Sequence, residues 1–233
     1  MLLDHDDYLP RYVLITEARR SDVKMADAFP LNPGSIIVMD RGYNDYALFG
    51  TWTDEGIHFV TRLKDNAAYE VLEEGPIPVN RNIRADQLIR LTGENAQTDC
   101  PSLLRRVAVW DAVHERKIVL LTNLMEFGST TIAAIYKDRW EIELFFKSLK
   151  QNLKVKTFVG TSENALRIQI WTALIAILLL KWLHHLSKAK WSLSNLASML
   201  RMNLFTYRDL TAWLDNPFGT PPILPESQQL TLA

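Results

Sequence analysis

The stretch Ile132-Ala-Ala-Ile-Tyr-Lys-Asp-Arg-Trp-Glu-Ile-Glu-Leu-Phe-Phe-Lys-Ser-Leu-Lys-Gln-Asn-Leu153 decides how the rest of the chain is read. It holds no Gly or Pro. Gly128-Ser129-Thr130-Thr131 stands before it, where a Ser or Thr can bond the free amides of a helix start. One long helix is the expectation. At about 100° per residue, Ile142, Phe145, Phe146, Leu149 and Leu153 share one arc, the face that seeks a core. Tyr136, Arg139, Glu143 and Lys150 lie at offsets of 0, 3, 7 and 14. They fall within about 60° of one another beside that arc. One carboxylate, two cations and a phenol then run along the rim of a buried helix. By periodicity alone the row reads first as a solvated face with weak salt bridges, Tyr136 being a core aromatic with its hydroxyl at the edge.

A second acid stands far upstream. Ser35 to Met39 is a buried-type strand, apolar on both faces as in a parallel sheet, and it ends on Asp40-Arg41-Gly42-Tyr43. Ligands of open α/β sheets collect at the carboxyl ends of strands, where a carboxylate is rigidly aimed. Asp40 can equally cap the following helix, Asn44 to Glu55, which Gly56 closes. Ile57 to Arg62 is the next strand, with His58 on a strand face. Nearer the start, His5-Asp6-Asp7 reads as a turn, Tyr12 to Thr16 as a strand, and Ser21 to Phe29 as a short helix stopped by Pro30.

From Leu63 to about Thr122, short strands alternate with turn residues, and Arg105–Ala112 and Arg116–Leu121 form a hairpin around Val113-His114-Glu115. After a turn at Phe158-Val159-Gly160, Ser162 caps a long helix through His185. Its most apolar part, Ile168 to Leu183, is interrupted by Gln169, Thr172 and Lys181 and is short of a bilayer span, so it is expected as a buried core helix with no membrane involved. Ser192–Leu200 and Thr206–Leu214 read as short amphipathic helices, and Pro217 onwards as a loose tail.

Bulk properties fit an ordinary soluble globule of 233 residues, 48% apolar and 23% charged. A net charge of −1 does not advertise nucleic-acid binding, so any such binding needs local patches. Tyr136 to Lys156 supplies one, with six cations against three acids, whereas residues 1–40 hold seven acids against four cations. The lone cysteine, Cys100, excludes an internal disulfide and fits a reducing, cytoplasmic setting.

The spacing Tyr-x2-Arg-x3-Glu-x6-Lys, met at Tyr136, Arg139, Glu143 and Lys150, resembles the signature of DDE-type transposases of insertion-sequence family 4. The run from Arg139 to Lys147, Ser162-Glu163-Asn164-Ala165 and Asp40-Arg41-Gly42-Tyr43 are similar to that family too. The resemblance implies an α/β fold. Its ribonuclease-H-like core would cover 1–62 and 123–190, incomplete at its N-terminus, with a β-rich insertion at 63–122 and C-terminal helices and a tail at 191–233. It further implies that Asp40 and Glu143 are catalytic, as the last two members of an Asp-Asp-Glu triad that holds Mg2+, with Mn2+ as a substitute. Tyr136, Arg139 and Lys150 would handle DNA phosphates. Trp110 and Trp140 are the candidates to stack a displaced base, though either can be core.

The implied partners are double-stranded DNA at transposon ends and target, and a second copy of the chain. Water would attack a transposon end, and the released 3′-hydroxyl would then be transferred. The family's first triad Asp lies on the opening strand of its core. Here Met1 falls in the strand after that one, and Asp4, Asp6 and Asp7 sit at the turn beyond. The expectation is a transposase domain inactive alone, with unpaired sheet edges. A DNA-binding or dimerising remnant that inhibits full-length enzyme, and an unrelated metal-dependent hydrolase, are the competing readings.

Overall fold

The computed structural model describes residues 1–16, 26, 29–79, 81–152, 160 and 162–223. The chain opens with a small antiparallel pair, β1 (Leu2–Leu3) and β2 (Pro10–Tyr12). The turn between them is the one expected at His5-Asp6-Asp7, with Asp4 and Asp7 side chains accepting from the Asp6 and Leu9 amides. The strand expected at Tyr12–Thr16 lies earlier. Tyr8, at φ +52, turns the chain back, and Leu2 pairs with Tyr12 and Leu3 with Pro10. The helix expected at Ser21–Phe29 lies outside the described residues, apart from its positions 26 and 29.

Residues Met1–Glu143 form the first of two compact units. Its main sheet uses β3 (Ile36–Val38), β4 (His58–Arg62), β5 (Tyr69–Glu74), β6 (Ile83–Leu91), β7 (Leu104–Asp111) and β8 (Arg116–Thr122), in the order β3-β4-β8-β7-β6-β5. Among the described strands only β3 and β4 run parallel, joined by the crossover helix α1 (Tyr46–Asp54). Residues 63–122 thus supply the strands that widen this sheet. The β7–β8 hairpin closes through residues 112–115, as its alternating pattern requires.

Period-two alternation sorts the sheet's side chains between two cores. Phe59, Leu121, Leu104 and Ile89 turn to one face, where α1 and α2 (Glu94–Asp99) pack. Phe59 stacks on Phe49 of α1 at 4.2 Å between ring centroids, both fully buried. Val60, Leu120 and Val107 turn to the other face, beneath Ile132 and Tyr136 of α3 (Ser129–Asp138). Helices therefore cover both faces of the mixed sheet. Each fully buried Phe or Leu here contributes about 2–3 kcal/mol of transfer free energy.

Two helix starts differ from expectation. α1 begins at Tyr46 rather than Asn44, because the Asp45 side chain accepts from the Ala47 and Leu48 amides and fixes the start there. α3 begins at Ser129, with Gly128 as a cap that has no side chain to offer. The single helix expected at Ile132–Leu153 is two helices. α3 ends at Asp138, and α4 (Trp140–Asn152) follows at once. At the joint the backbone tightens: the Arg139 amide bonds the Tyr136 carbonyl, and the Ile142 amide bonds that of Arg139, each three residues back. No Gly or Pro marks the place. Leu153 itself lies outside the described residues.

The second unit is Leu144–Ala233, and α4 runs into it. The turn expected at Phe158-Val159-Gly160 falls outside the described residues except for Gly160. α5 (Glu163–Leu186) starts on Ser162, whose hydroxyl accepts from the Ala165 amide, as expected. The expectation of a buried core helix does not hold. Only Ala173, Leu174 and Ile177 of α5 are buried, while Ile168, Trp171, Ile175, Leu179, Trp182 and Leu186 are exposed. Apolar content on every side of a helix exceeds what one packed face can cover.

α6 (Leu193–Met202) starts on Ser192. α7 is shorter than expected, Leu210–Asp215, because Asp209 caps it. Leu196, Trp213 and Leu214 bury each other, and Trp191 packs on Trp213. Residues 217–223, expected as a loose tail, are tied back: Arg208 donates to the Thr220 carbonyl and the Ile223 amide to that of Tyr207.

Candidate active site

Asp40 follows β3 directly. Its carboxylate accepts from the Arg41 amide at 2.7 Å and caps a single 3-10 turn, Arg41–Tyr43, while α1 has its own cap in Asp45. Capping therefore does occur at Asp40, on a shorter element than expected. One carboxylate oxygen is spent on it. The turn rests on a polar layer at the carboxyl ends of β3 and β4. Asn44 donates to the Arg62 carbonyl at 2.8 Å and accepts from the Thr61 hydroxyl at 2.9 Å, and Lys64 donates to the Asn44 carbonyl at 3.1 Å. Thr61 is fully buried and Asn44 nearly so. Buried polar groups satisfied in this way hold a loop in one conformation.

Asn44, Thr61 and Lys64 drew no attention in the sequence. The one available signal was Thr61, a hydroxyl inside an apolar strand run.

On the opposite face of the sheet, Tyr136 is buried at the end of α3. The Arg139 guanidinium lies 5.8 Å from the centre of its ring and donates to a Glu143 carboxylate oxygen at 2.8 Å. Arg139 is mostly enclosed, and its Nε has no hydrogen-bond partner. Glu143, at the first turn of α4, is half open to solvent. Tyr136, Arg139 and Glu143 thus form one chain of contacts, as their spacing suggested.

Electrostatics joins Asp40 to this chain. Burial raises the Tyr136 phenol above its ordinary pKa; the Asp40 charge adds to the rise, while Arg139 and Arg62 oppose it. Burial works against the Arg139 charge, but the hydrogen bond to Glu143 and the nearby Tyr136 and Asp40 outweigh it, so its pKa is raised. Both carboxylates therefore act on one guanidinium. Arg62, read in the sequence only as a strand end, also belongs to this neighbourhood. Its charge and that of Asp40 both act on the Tyr136 phenol.

The other singled-out residues are placed separately. Lys150 is exposed on α4, in the second unit. Trp140 is 53% exposed at the start of α4, and Trp110 is 36% exposed on β7 opposite Lys117. Trp140 is thus no core residue, and Trp110 is only partly covered. His58 lies on β4 as read, with its Nδ1 buried and without a hydrogen bond.

A divalent cation fits the donor chemistry of Asp40 and Glu143. Magnesium takes oxygen ligands and is commonly held by one or two carboxylates, with water and substrate phosphate completing the shell. Among the described residues no group of three or more His, Cys, Asp or Glu side chains stands ready for a metal.

Residues 1–179 match the family described as Transposase DDE domain. A putative transposase of Sinorhizobium fredii is 31% identical over 98% of this chain and 64% of its own length. A probable transposase for an insertion sequence element of Geobacillus stearothermophilus is 32% identical over 80% of the chain and 49% of its own length. The transposase InsG for insertion sequence element IS4 of Escherichia coli is 24% identical over 64% of the chain and 34% of its own length. This chain therefore spans about two thirds or less of these curated relatives. The α/β fold with helices on both faces of a mixed sheet agrees with a ribonuclease-H-like core. Matched over most of its length, the chain belongs to the transposases with a DDE domain.

Proposed function

We propose that this chain supplies the catalytic centre of a metal-dependent DNA transposase, acting on double-stranded DNA at transposon ends. The observation that carries the proposal is the Tyr136–Arg139–Glu143 contact chain lying within electrostatic reach of Asp40. Asp40 and Glu143 would hold the divalent cations, magnesium or manganese in its place, whose chemistry is to neutralise the scissile phosphate and activate the attacking oxygen. Arg139 keeps an Nε donor without a partner, which a phosphate oxygen would satisfy. The Tyr136 phenol is protonated at neutral pH, as an ordinary phenol is, so it donates to phosphate rather than repelling it. Lys150 adds a mobile positive charge for the DNA backbone, and Trp110 or Trp140 a surface for an unstacked base. The chemistry is hydrolysis of a phosphodiester followed by attack of the freed 3′-hydroxyl on target DNA, by a homodimer holding two ends in the cytoplasm.

With two triad carboxylates rather than three, the isolated chain binds metal and DNA but does not cut. Mn2+ titration followed by electron paramagnetic resonance tests the metal pair. Asp40→Asn and Glu143→Gln should each weaken binding at least about tenfold, the counterpart of one lost charged ligand. Unchanged Mn2+ affinity in both variants overturns the site. Gel-shift titrations on duplexes bearing the element's ends should show log affinity falling with log salt, with a slope about 0.9 shallower in Lys150→Ala. Cleavage of such duplexes by the chain alone would refute the claim of inactivity. The reading as a small-substrate hydrolase requires no DNA binding at any salt.

A further inference from the structure

We propose that Asn44 is a positioning residue for Asp40. It anchors the turn that aims the second Asp40 carboxylate oxygen, and so sets divalent-cation affinity without touching the cation. The inference deepens the metal-site reading above and rests on it.

β3 is three residues long, and Asp40 lies beyond its end. The last bond to β4, from the Met39 amide to the Val60 carbonyl at 3.1 Å, stops one residue short of it. Strand ends held only on one side fray, and an exposed carboxylate on such an end is not aimed. A second anchor is needed.

Asn44 ends the 3-10 turn that Asp40 begins. It is 8% exposed, and its side chain is bonded to β4 through both polar atoms. Nδ2 donates to the Arg62 carbonyl at 2.8 Å, and Oδ1 accepts from the Thr61 hydroxyl at 2.9 Å. Lys64 donates to the Asn44 carbonyl at 3.1 Å, and Arg41 donates to the Asp65 carboxylate at 2.8 Å. Residues 61–65 therefore hold the turn at four points, three of them on Asn44. Inside the turn the Tyr43 amide donates to the Asp40 carbonyl at 3.0 Å, and the Arg41 amide to one Asp40 carboxylate oxygen at 2.7 Å. Through these bonds a displacement of Asn44 reaches the carboxylate.

The polar character of the anchor argues for positioning over plain stability. A buried amide and hydroxyl that merely closed a strand end could be exchanged for packed apolar groups of the same shape at little cost. Here the pair stands beside a carboxylate that has to be held within about 0.5 Å to serve a metal. Removing a group that orients a ligand typically weakens metal affinity about 10–100-fold.

Mn2+ titration of the full 233-residue chain, followed by electron paramagnetic resonance, tests the assignment. Asn44→Ala should weaken Mn2+ binding at least about tenfold. Thr61→Val, which deletes the hydroxyl at nearly constant shape, should weaken it too, and Thr61→Ser should restore it. In an Asp40→Asn background Asn44→Ala should cost nothing further, because Asn44 acts only through Asp40. An additive loss there marks a merely structural role and overturns the proposal. In the metal-free chain, hydrogen exchange at the Arg41 amide should quicken at least about tenfold in Asn44→Ala. Should Asn44→Ala fail to fold, the Thr61→Val and Thr61→Ser pair decides by the same two readings. Unaltered Arg41 exchange, or unaltered Mn2+ affinity where Asp40→Asn loses it, overturns the role of Asn44 and leaves the metal site standing. Unaltered Mn2+ affinity in Asp40→Asn removes the site itself, and this assignment with it.

Discussion

Asp86 on β6 and Arg105 on β7 form an ion pair closed off from water, their side chains 3% and 14% exposed. The guanidinium meets the carboxylate as a fork, Nε to one oxygen at 2.7 Å and a terminal nitrogen to the other at 2.6 Å. Its remaining nitrogen donates to the carbonyls of Leu124, Met125 and Phe127. Those residues are the loop from β8 into α3, the helix that carries Tyr136. Asp86→Ala strands a buried guanidinium, a change that costs about 3–5 kcal/mol. Three carbonyls still neutralise part of the charge, which places the loss near 3 kcal/mol.

A domain's whole stability is about 5–15 kcal/mol. At about 2–4 °C per kcal/mol for a chain of this length, Tm should fall by roughly 6–12 °C. Asp86→Leu combined with Arg105→Met removes both charges and should recover at least about 1 kcal/mol relative to Asp86→Ala. Urea and thermal unfolding followed by circular dichroism read both quantities. A loss below about 1 kcal/mol for Asp86→Ala, or a double variant less stable than the single one, would show that the pair does not tie this loop to the sheet.

Three further outcomes follow from local geometry. A Cβ on Gly50 would sit 2.2 Å from the Asp99 carbonyl oxygen, so Gly50→Ala should cost about 2 kcal/mol or more in thermal unfolding, whereas Gly42→Ala, with nothing within 4 Å of the new atom, should be near neutral. Glu115 holds φ +49 in the β7–β8 loop, so Glu115→Gly should stabilise by up to about 1 kcal/mol, and a measured loss would place its backbone elsewhere. The His5 imidazole donates Nε2–H to an Asp138 carboxylate oxygen at 2.9 Å, and that bond raises its pKa above 6.5. Because the folded-state pKa is the higher one, the contact contributes fully below the unfolded value and is lost as pH rises through the folded value. In Asp138→Asn the His5 proton signal, followed by NMR, should titrate at lower pH; an unmoved titration means that the contact does not form in solution.

The linear chain determined the parts whose causes are local. The β7–β8 hairpin followed from alternation around a turn, and α5 and α6 from serines that cap them. The Tyr136, Arg139 and Glu143 row followed from helical spacing. Spacing survives the joint at Arg139, whose guanidinium still meets both the Tyr136 ring and the Glu143 carboxylate. Packing decided what spacing cannot carry. The joint itself has no Gly or Pro to announce it. The approach of Asp40 to Arg139 needs the parallel pairing of β3 with β4 and the docking of α3 over them, both set by cores drawn from residues far apart in sequence. Asn44 and Thr61 gain their role only when two strand ends meet. The exposure of α5 depends on which surfaces find partners, and hydrophobicity along a chain measures the tendency to be buried, not the presence of something to bury against.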